Sequence, residues 1–70
     1  MLDERRALGD RVRTQRLHAS LTQEALRDLS GVERLTIQRI ESGATDARIG
    51  WLMRIAHALN IPVTRLLEGE

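Results

Sequence analysis

Three side chains in the stretch Gln23 to Ser42 could do recognition chemistry together: Arg34, Gln38 and Arg39. A guanidinium presents a planar fork of donors that can bridge O6 and N7 of guanine, and a carboxamide can bridge N6 and N7 of adenine. At about 100° per residue, Ile37 and Ile40 fall on one side of a helix, while Leu35, Gln38, Arg39 and Ser42 fall on the other. Arg34 lies in the first turn. An outward Leu35 is unfavourable in water but can lie against a thymine methyl. An ordinary solvated helix face would carry Arg and Gln equally well, so the surrounding elements must decide.

Those elements are two short helices. The segment QEALRDLSGVERLTIQRIES reads as a helix pair joined by a tight turn at Ser30-Gly31-Val32. Gly31 supplies the turn residue that takes φ > 0 without a Cβ clash. Leu26, Val32, Ile37 and Ile40 sit where the pair packs on itself and on a core. Such a pair lays its second helix in the DNA major groove. Gln23 opens the first of the two, where unpaired N–H groups and the dipole favour an anion, so its amide is a candidate phosphate contact. The plainer reading of Gln23 is a solvent-exposed residue of good helix propensity. Glu41 falls in the last turn of the second helix, the unfavourable dipole end for a carboxylate. Arg16, late in a preceding helix, is the cation expected to compensate it.

The rest of the chain carries helical spacing, with no strand alternation or internal repeat. A first helix is predicted from Glu4 to about His18, capped by Asp3, with Leu8 and Val12 as its inner stripe and Leu21 anchoring the connection. The second follows Thr22, a good N-cap, and ends near Leu29. The third runs from about Glu33 to Ser42 and stops at Gly43. Asp46 is expected to cap a fourth helix with the stripe Ile49, Leu52, Ile55, Ala56 and Leu59. Asn60 breaks it, and Pro62 suits the first turn of a fifth helix ending near Leu67. The predicted fold is all-α: a compact five-helix bundle forming one domain over residues 1–70. Its core is Leu8, Val12, Leu26, Val32, Ile37, Ile40, Leu52, Ile55, Leu59 and Leu66.

Composition narrows the function. Seventy residues without cysteine hold one small core that no disulfide or thiolate-bound metal reinforces. An apolar content of 41% argues against disorder. Trp51 is the sole aromatic residue, which disfavours modules that stack single-stranded bases. It lies beside the fourth helix's stripe and reads as a partly buried cover on the core. The first ten residues are charged, and the longest apolar-rich patch is far too short for a bilayer, so a soluble, cytoplasmic protein without a signal peptide is expected. Net charge is only +1, which by itself does not suggest nucleic acid. All eleven cations are Arg, suited to bidentate contacts with phosphate and guanine, although a GC-rich coding bias gives the same composition. His18 and His57 lie in different helices without acids at ligand spacing, and no nucleophile motif or Gly-rich phosphate loop occurs. No metal, cofactor or catalytic residue is expected; the chain reads as a binding protein, not an enzyme.

At this point the pieces LGDRVRTQR, LTQEAL, SGV, TIQRIESG, LMRIAHALNIPV and RLL together resemble the Cro and phage-repressor helix-turn-helix family, often called Xre-like. The resemblance covers about Leu8 to Leu67. It implies a lambda-repressor-like, five-helix domain that binds double-stranded DNA and dimerises on palindromic operators. By position, Gln23 matches a phosphate-contacting glutamine. Arg34, Leu35, Gln38 and Arg39 match base-reading positions, with Thr36 counted among the DNA-binding residues. Ser42 and the loop at Ala44-Thr45 match backbone-contacting positions. Arg16 and Glu41 match a structural ion pair. Four departures bear on local packing. Arg27 stands where the family usually has Ala, and Glu33 where it has a Ser, Thr or Asp cap. Gln15 replaces an apolar residue, and Ala47 replaces Pro.

The function expected from this resemblance is transcriptional regulation by a repressor-like homodimer. Helices one to three are committed to core and DNA, leaving Val63, Thr64 and Arg65 as dimer-interface candidates, with Trp51 contributing. The alternative is an interaction module of the same fold that binds a protein, such as a toxin or a polymerase subunit. Near-neutral charge and Glu33 favour that alternative; the outward Arg34, Gln38 and Arg39 favour DNA.

Overall fold

A computed structural model describes residues 4–68, which contain five α-helices and no strand. They are α1 (Glu4–His18), α2 (Gln23–Ser30), α3 (Arg34–Ser42), α4 (Ile49–Leu59) and α5 (Val63–Glu68). The expected Asp3 cap lies outside the described residues. The punctuation is chemical. Thr22 accepts a hydrogen bond from the Ala25 N–H at 3.0 Å and starts α2. Gly31, at φ 76°, ends it and donates to the Arg27 carbonyl. Gly43 and Asn60, also left-handed, stop α3 and α4. The Ser30 hydroxyl accepts from the Val32 N–H at 3.1 Å, so the buried turn leaves that donor satisfied.

One capping expectation is corrected. Asp46 does not cap α4: Arg48 is the N-cap, in extended conformation and without a side-chain cap bond. Asp46 is too far upstream and faces Arg5 at 3.5 Å instead, both side chains being exposed. Helix α3 starts at Arg34, with Glu33 as its cap residue. Pro62 immediately precedes α5, and its carbonyl accepts from the Arg65 N–H at 3.0 Å.

Val12, Leu26, Val32, Ile37, Ile40, Leu52, Ile55, Ala56, Leu59 and Leu66 form one buried cluster. Leu8 is only half-buried at its margin. Ile49 leaves the predicted stripe and is 57% exposed, because it begins α4 at the stripe's edge. Trp51, Leu21 and Ala47 cover the cluster as partly buried neighbours. Helix α1 packs on α3 and α5, α2 on α3 and α4, and α4 on α5. The α1–α3 approach depends on Gly9, a residue that hydrophobic periodicity does not mark. A Cβ there would collide with the Ile40 carbonyl oxygen and stand 2.8 Å from that of Glu41. Arg11 closes the other side of α1, donating from Nε to the Leu66 carbonyl and from Nη2 to that of Leu67. It thereby satisfies the C-terminal carbonyls of α5.

Gly9→Ala should therefore lower stability by about 1–3 kcal/mol through overpacking. Gly50, in the first turn of α4, has open space where a Cβ would sit. Gly50→Ala should instead be neutral or stabilising by up to about 1 kcal/mol. Urea unfolding of the two variants beside the parent checks both; equal midpoints would remove the close-approach role of Gly9.

Candidate nucleic-acid interface

The candidate surface is built on a buried ion pair. Arg16, in the last turn of α1, meets Glu41, in the last turn of α3, through two parallel hydrogen bonds. Nε lies 2.7 Å from Oε2 and Nη2 2.9 Å from Oε1. The remaining guanidinium nitrogen, Nη1, donates to the Leu21 carbonyl at 2.8 Å. The side chains are only 9% and 5% exposed, which removes most solvent screening. The hydrogen bond to Glu41 raises the Arg16 pKa above its ordinary value, against the opposing effect of burial, so Arg16 stays charged. Among the described residues, no buried side-chain nitrogen or oxygen lacks a partner.

Gln23 joins this pair. Its Nε2 donates to Glu41 Oε1 at 3.2 Å, and the residue is half-buried at the start of α2. A carboxamide carries two N–H groups. Glu41 takes one of them and thereby fixes where the other points. The ion pair thus connects α1, the α1–α2 link, α2 and α3.

On the outward face of α3, away from Ile37 and Ile40, Arg34, Gln38, Arg39 and Ser42 are exposed, and Leu35 is 52% exposed. The side chains of Arg34, Gln38 and Arg39 make no hydrogen bond or ion pair among the described residues. Ser42 donates to the Arg39 carbonyl at 3.2 Å, and Thr45, half-buried in the following loop, donates to the Asp46 carbonyl at 3.4 Å. Thr36 is half-buried at the shoulder of the face. The four departures from the family pattern are accommodated. Arg27 turns outward and pairs with Asp28 at 3.0 Å, so α2 and α3 stay packed. Gln15 is half-buried, Ala47 packs against the core, and Glu33 leaves the N-terminus of α3 without a side-chain cap.

Arg48 and Trp51 form a contact that hydrophobic periodicity does not mark. Arg48 sits with its guanidinium carbon 5.3 Å from the centroid of the Trp51 ring, where the α3–α4 loop enters α4. The signal was an Arg and a Trp three residues apart at a helix start, neighbours on a helical surface. The suggested dimer residues lie in the first turn of α4 and at the start of α5. Val63 is half-buried against its own core, Thr64 and Arg65 are exposed, and Trp51 is half-buried. His18 and His57 are both exposed.

Arg16→Met should destabilise the chain by roughly 3–5 kcal/mol, because the Glu41 carboxylate is left buried without its cation. Reversing both charges together, Arg16→Glu with Glu41→Arg, should recover part of the loss seen in either single reversal. Recovery stays incomplete because the Leu21 carbonyl loses its donor. Urea midpoints of the singles and the double measure this. Additive losses would mean that the pair is not coupled.

Comparison with known proteins agrees with this architecture. The profile of the helix-turn-helix domain family matches residues 7–68. Among solved structures, the restriction-modification controller protein C.AhdI from Aeromonas hydrophila is similar at 29% identity with a TM-score of 0.89. That alignment covers 93% of this chain and 98% of the controller. The clp gene regulator ClgR from C. glutamicum is similar at 28% identity with a TM-score of 0.85, over 96% of this chain and 86% of that one. Comparison with curated protein sequences gives no match. With nearly its whole length matched and the predicted helix pair in place, the chain belongs to the helix-turn-helix domain family.

Proposed function

We propose that this protein regulates transcription by sequence-specific binding to duplex DNA, as a homodimer on a palindromic operator. The observation that carries the reading is the outer face of α3. Arg34, Gln38 and Arg39 are exposed and unpaired there, beside an exposed Leu35. Long polar side chains that find no partner on their own protein are free to meet base edges. Gln23, tethered to the same helix through Glu41, is oriented for a phosphate at the N-terminus of α2. Thr36, Ser42 and Thr45 flank the face and approach the backbone. The similar controller and regulator proteins favour the same reading. Activity resides in binding, without catalysis or a cofactor. No helix among the described residues is long and apolar enough to cross a membrane, which suits a regulator working beside DNA in the cytoplasm.

A dimer follows from information content. One reading helix spans only a few base pairs, too little to select a site in a genome. Two related by a two-fold axis read half-sites about one helical turn, ~34 Å, apart. The described residues extend 34 × 24 × 21 Å, so two protomers side by side fit that spacing. Val63 would form the apolar centre of the contact, with Thr64 and Arg65 at the rim and Trp51 beside them. An interface this small is weak alone and is reinforced by DNA.

Arg34→Ala and Arg39→Ala should each lose about 1–3 kcal/mol of operator affinity and relax preference at one base pair. Gln23→Ala should weaken operator and random duplex alike. Anisotropy titrations across a salt series, on sites selected from random DNA, measure both effects. Arginine variants that bind every duplex like the parent would remove α3 from the reading role. Failure to bind any duplex, with retention of a protein partner, would favour the interaction-module reading. Sedimentation with and without operator should show dimer formation promoted by DNA. A single protomer saturating a full-affinity site would falsify the dimer.

A further inference from the structure

Glu33 is an acid on a surface otherwise suited to an anion. It holds the N-cap position of α3, where Ser, Thr or Asp would accept from the first N–H groups of the helix. Its backbone lies at φ −58°, ψ 146°, and its carboxylate makes no cap bond. The residue is exposed; its backbone carbonyl accepts from the Ile37 N–H at 3.0 Å, but no hydrogen bond or ion pair engages its carboxylate among the described residues. Neighbouring acids are all accounted for. Asp28 pairs with Arg27, Asp46 with Arg5 and Glu41 with Arg16, while Glu24 lies in the first turn of α2, where the dipole favours it.

A free carboxylate near the DNA backbone weakens binding to every sequence by repelling phosphate. Its place in the helix pair converts that penalty into discrimination. The N-terminal residues of a reading helix are the ones that meet base edges. An ionised carboxylate only accepts hydrogen bonds. In the major groove guanine offers acceptors, and thymine an acceptor and a methyl group. Adenine N6 is a donor, but the N7 acceptor beside it repels a carboxylate. Cytosine N4 is a donor without that neighbour.

We propose that Glu33 is a specificity-determining residue that accepts from the N4 amine of a cytosine, in the half-site whose guanine Arg34 takes. The inference rests on the DNA-reading role of α3. It has a chemical corollary. One hydrogen of cytosine N4 is committed to the base pair, so a methyl on N4 takes the groove-facing position and removes the donor that Glu33 needs.

The test begins with selection of sites from random duplex DNA by the parent, Glu33→Gln and Glu33→Ala chains. Anisotropy titrations follow on the parent's site, with each cytosine of a half-site replaced in turn by N4-methylcytosine. The parent should show an invariant cytosine and lose about tenfold or more in affinity when that base is methylated. Glu33→Ala should accept any base there and bind methylated and unmethylated sites alike. Glu33→Gln should shift its preference toward adenine, whose N6 and N7 a carboxamide can bridge. The proposal is overturned if all three chains select the same base with the same preference. It is equally overturned if N4-methylation at every cytosine leaves the parent's affinity unchanged; that arm uses the unaltered protein and needs no variant to fold. A parent that selects no site at all overturns the DNA reading itself, and this result is distinct from a selected site indifferent to Glu33.

Discussion

The Arg16–Glu41 pair holds the geometry of this small protein. Burying two full charges is expensive, and such a pair breaks even only when its geometry is good and its remaining polar atoms are satisfied. Here both conditions hold. Two parallel bonds join the charged groups, and the leftover donors and acceptors go to Leu21 and Gln23. Net stabilisation is the lesser part of what the pair contributes. Directionality is the greater: apolar contacts among Leu26, Ile37 and Ile40 tolerate sliding, whereas a bidentate pair accepts one register. The start of α2 and the outer face of α3 therefore keep a fixed relation, and any ligand touching both meets a preformed surface.

Around that pair, the fold draws on backbone groups as much as on apolar area. Gly9 lets the backbone of α1 approach that of α3 closely at Ile40 and Glu41. Arg11, five residues before Arg16 on the same helix, uses its fork on the Leu66 and Leu67 carbonyls of α5. One helix thus anchors two others through guanidinium groups. Lysine, with a single compact ammonium, would not bridge two acceptors in the same planar geometry.

Much of this was legible in the sequence because its signals are local or periodic. The bounds of α1, the Thr22 cap, the left-handed Gly31 and Gly43, and the stripe from Leu52 to Leu59 follow from residue type and helical spacing. The ion pair was readable for two different reasons: a carboxylate at the wrong end of a helix dipole asks for a cation, and the family resemblance implies Arg16 as its partner. Features that depend on the meeting of distant segments were not readable. The contact between Gly9 and the α3 backbone leaves no periodic trace, and Arg11 looks like any surface cation until α5 arrives beside it. The tether from Gln23 to Glu41 is similar, since each residue had a separate explanation. Asp46 shows the converse error. A good capping residue stands near the helix, but Ala47 and Arg48 intervene before α4 begins. At the candidate interface, residue type and exposure were legible, while the absence of intramolecular partners for Arg34, Gln38 and Arg39 required the folded chain.

The stacking of Arg48 on Trp51 has an optical consequence. With one tryptophan and no tyrosine or phenylalanine, the near-ultraviolet absorption and the intrinsic emission of the chain come from a single indole. That indole has core on one side, a cation over its ring and water at the remaining edge. It lies in the first turn of α4, directly after the loop that leaves the outer helix face. The protein therefore carries a site-specific spectroscopic label of its own, whose surroundings change when the core opens or when the loop beside it is occupied.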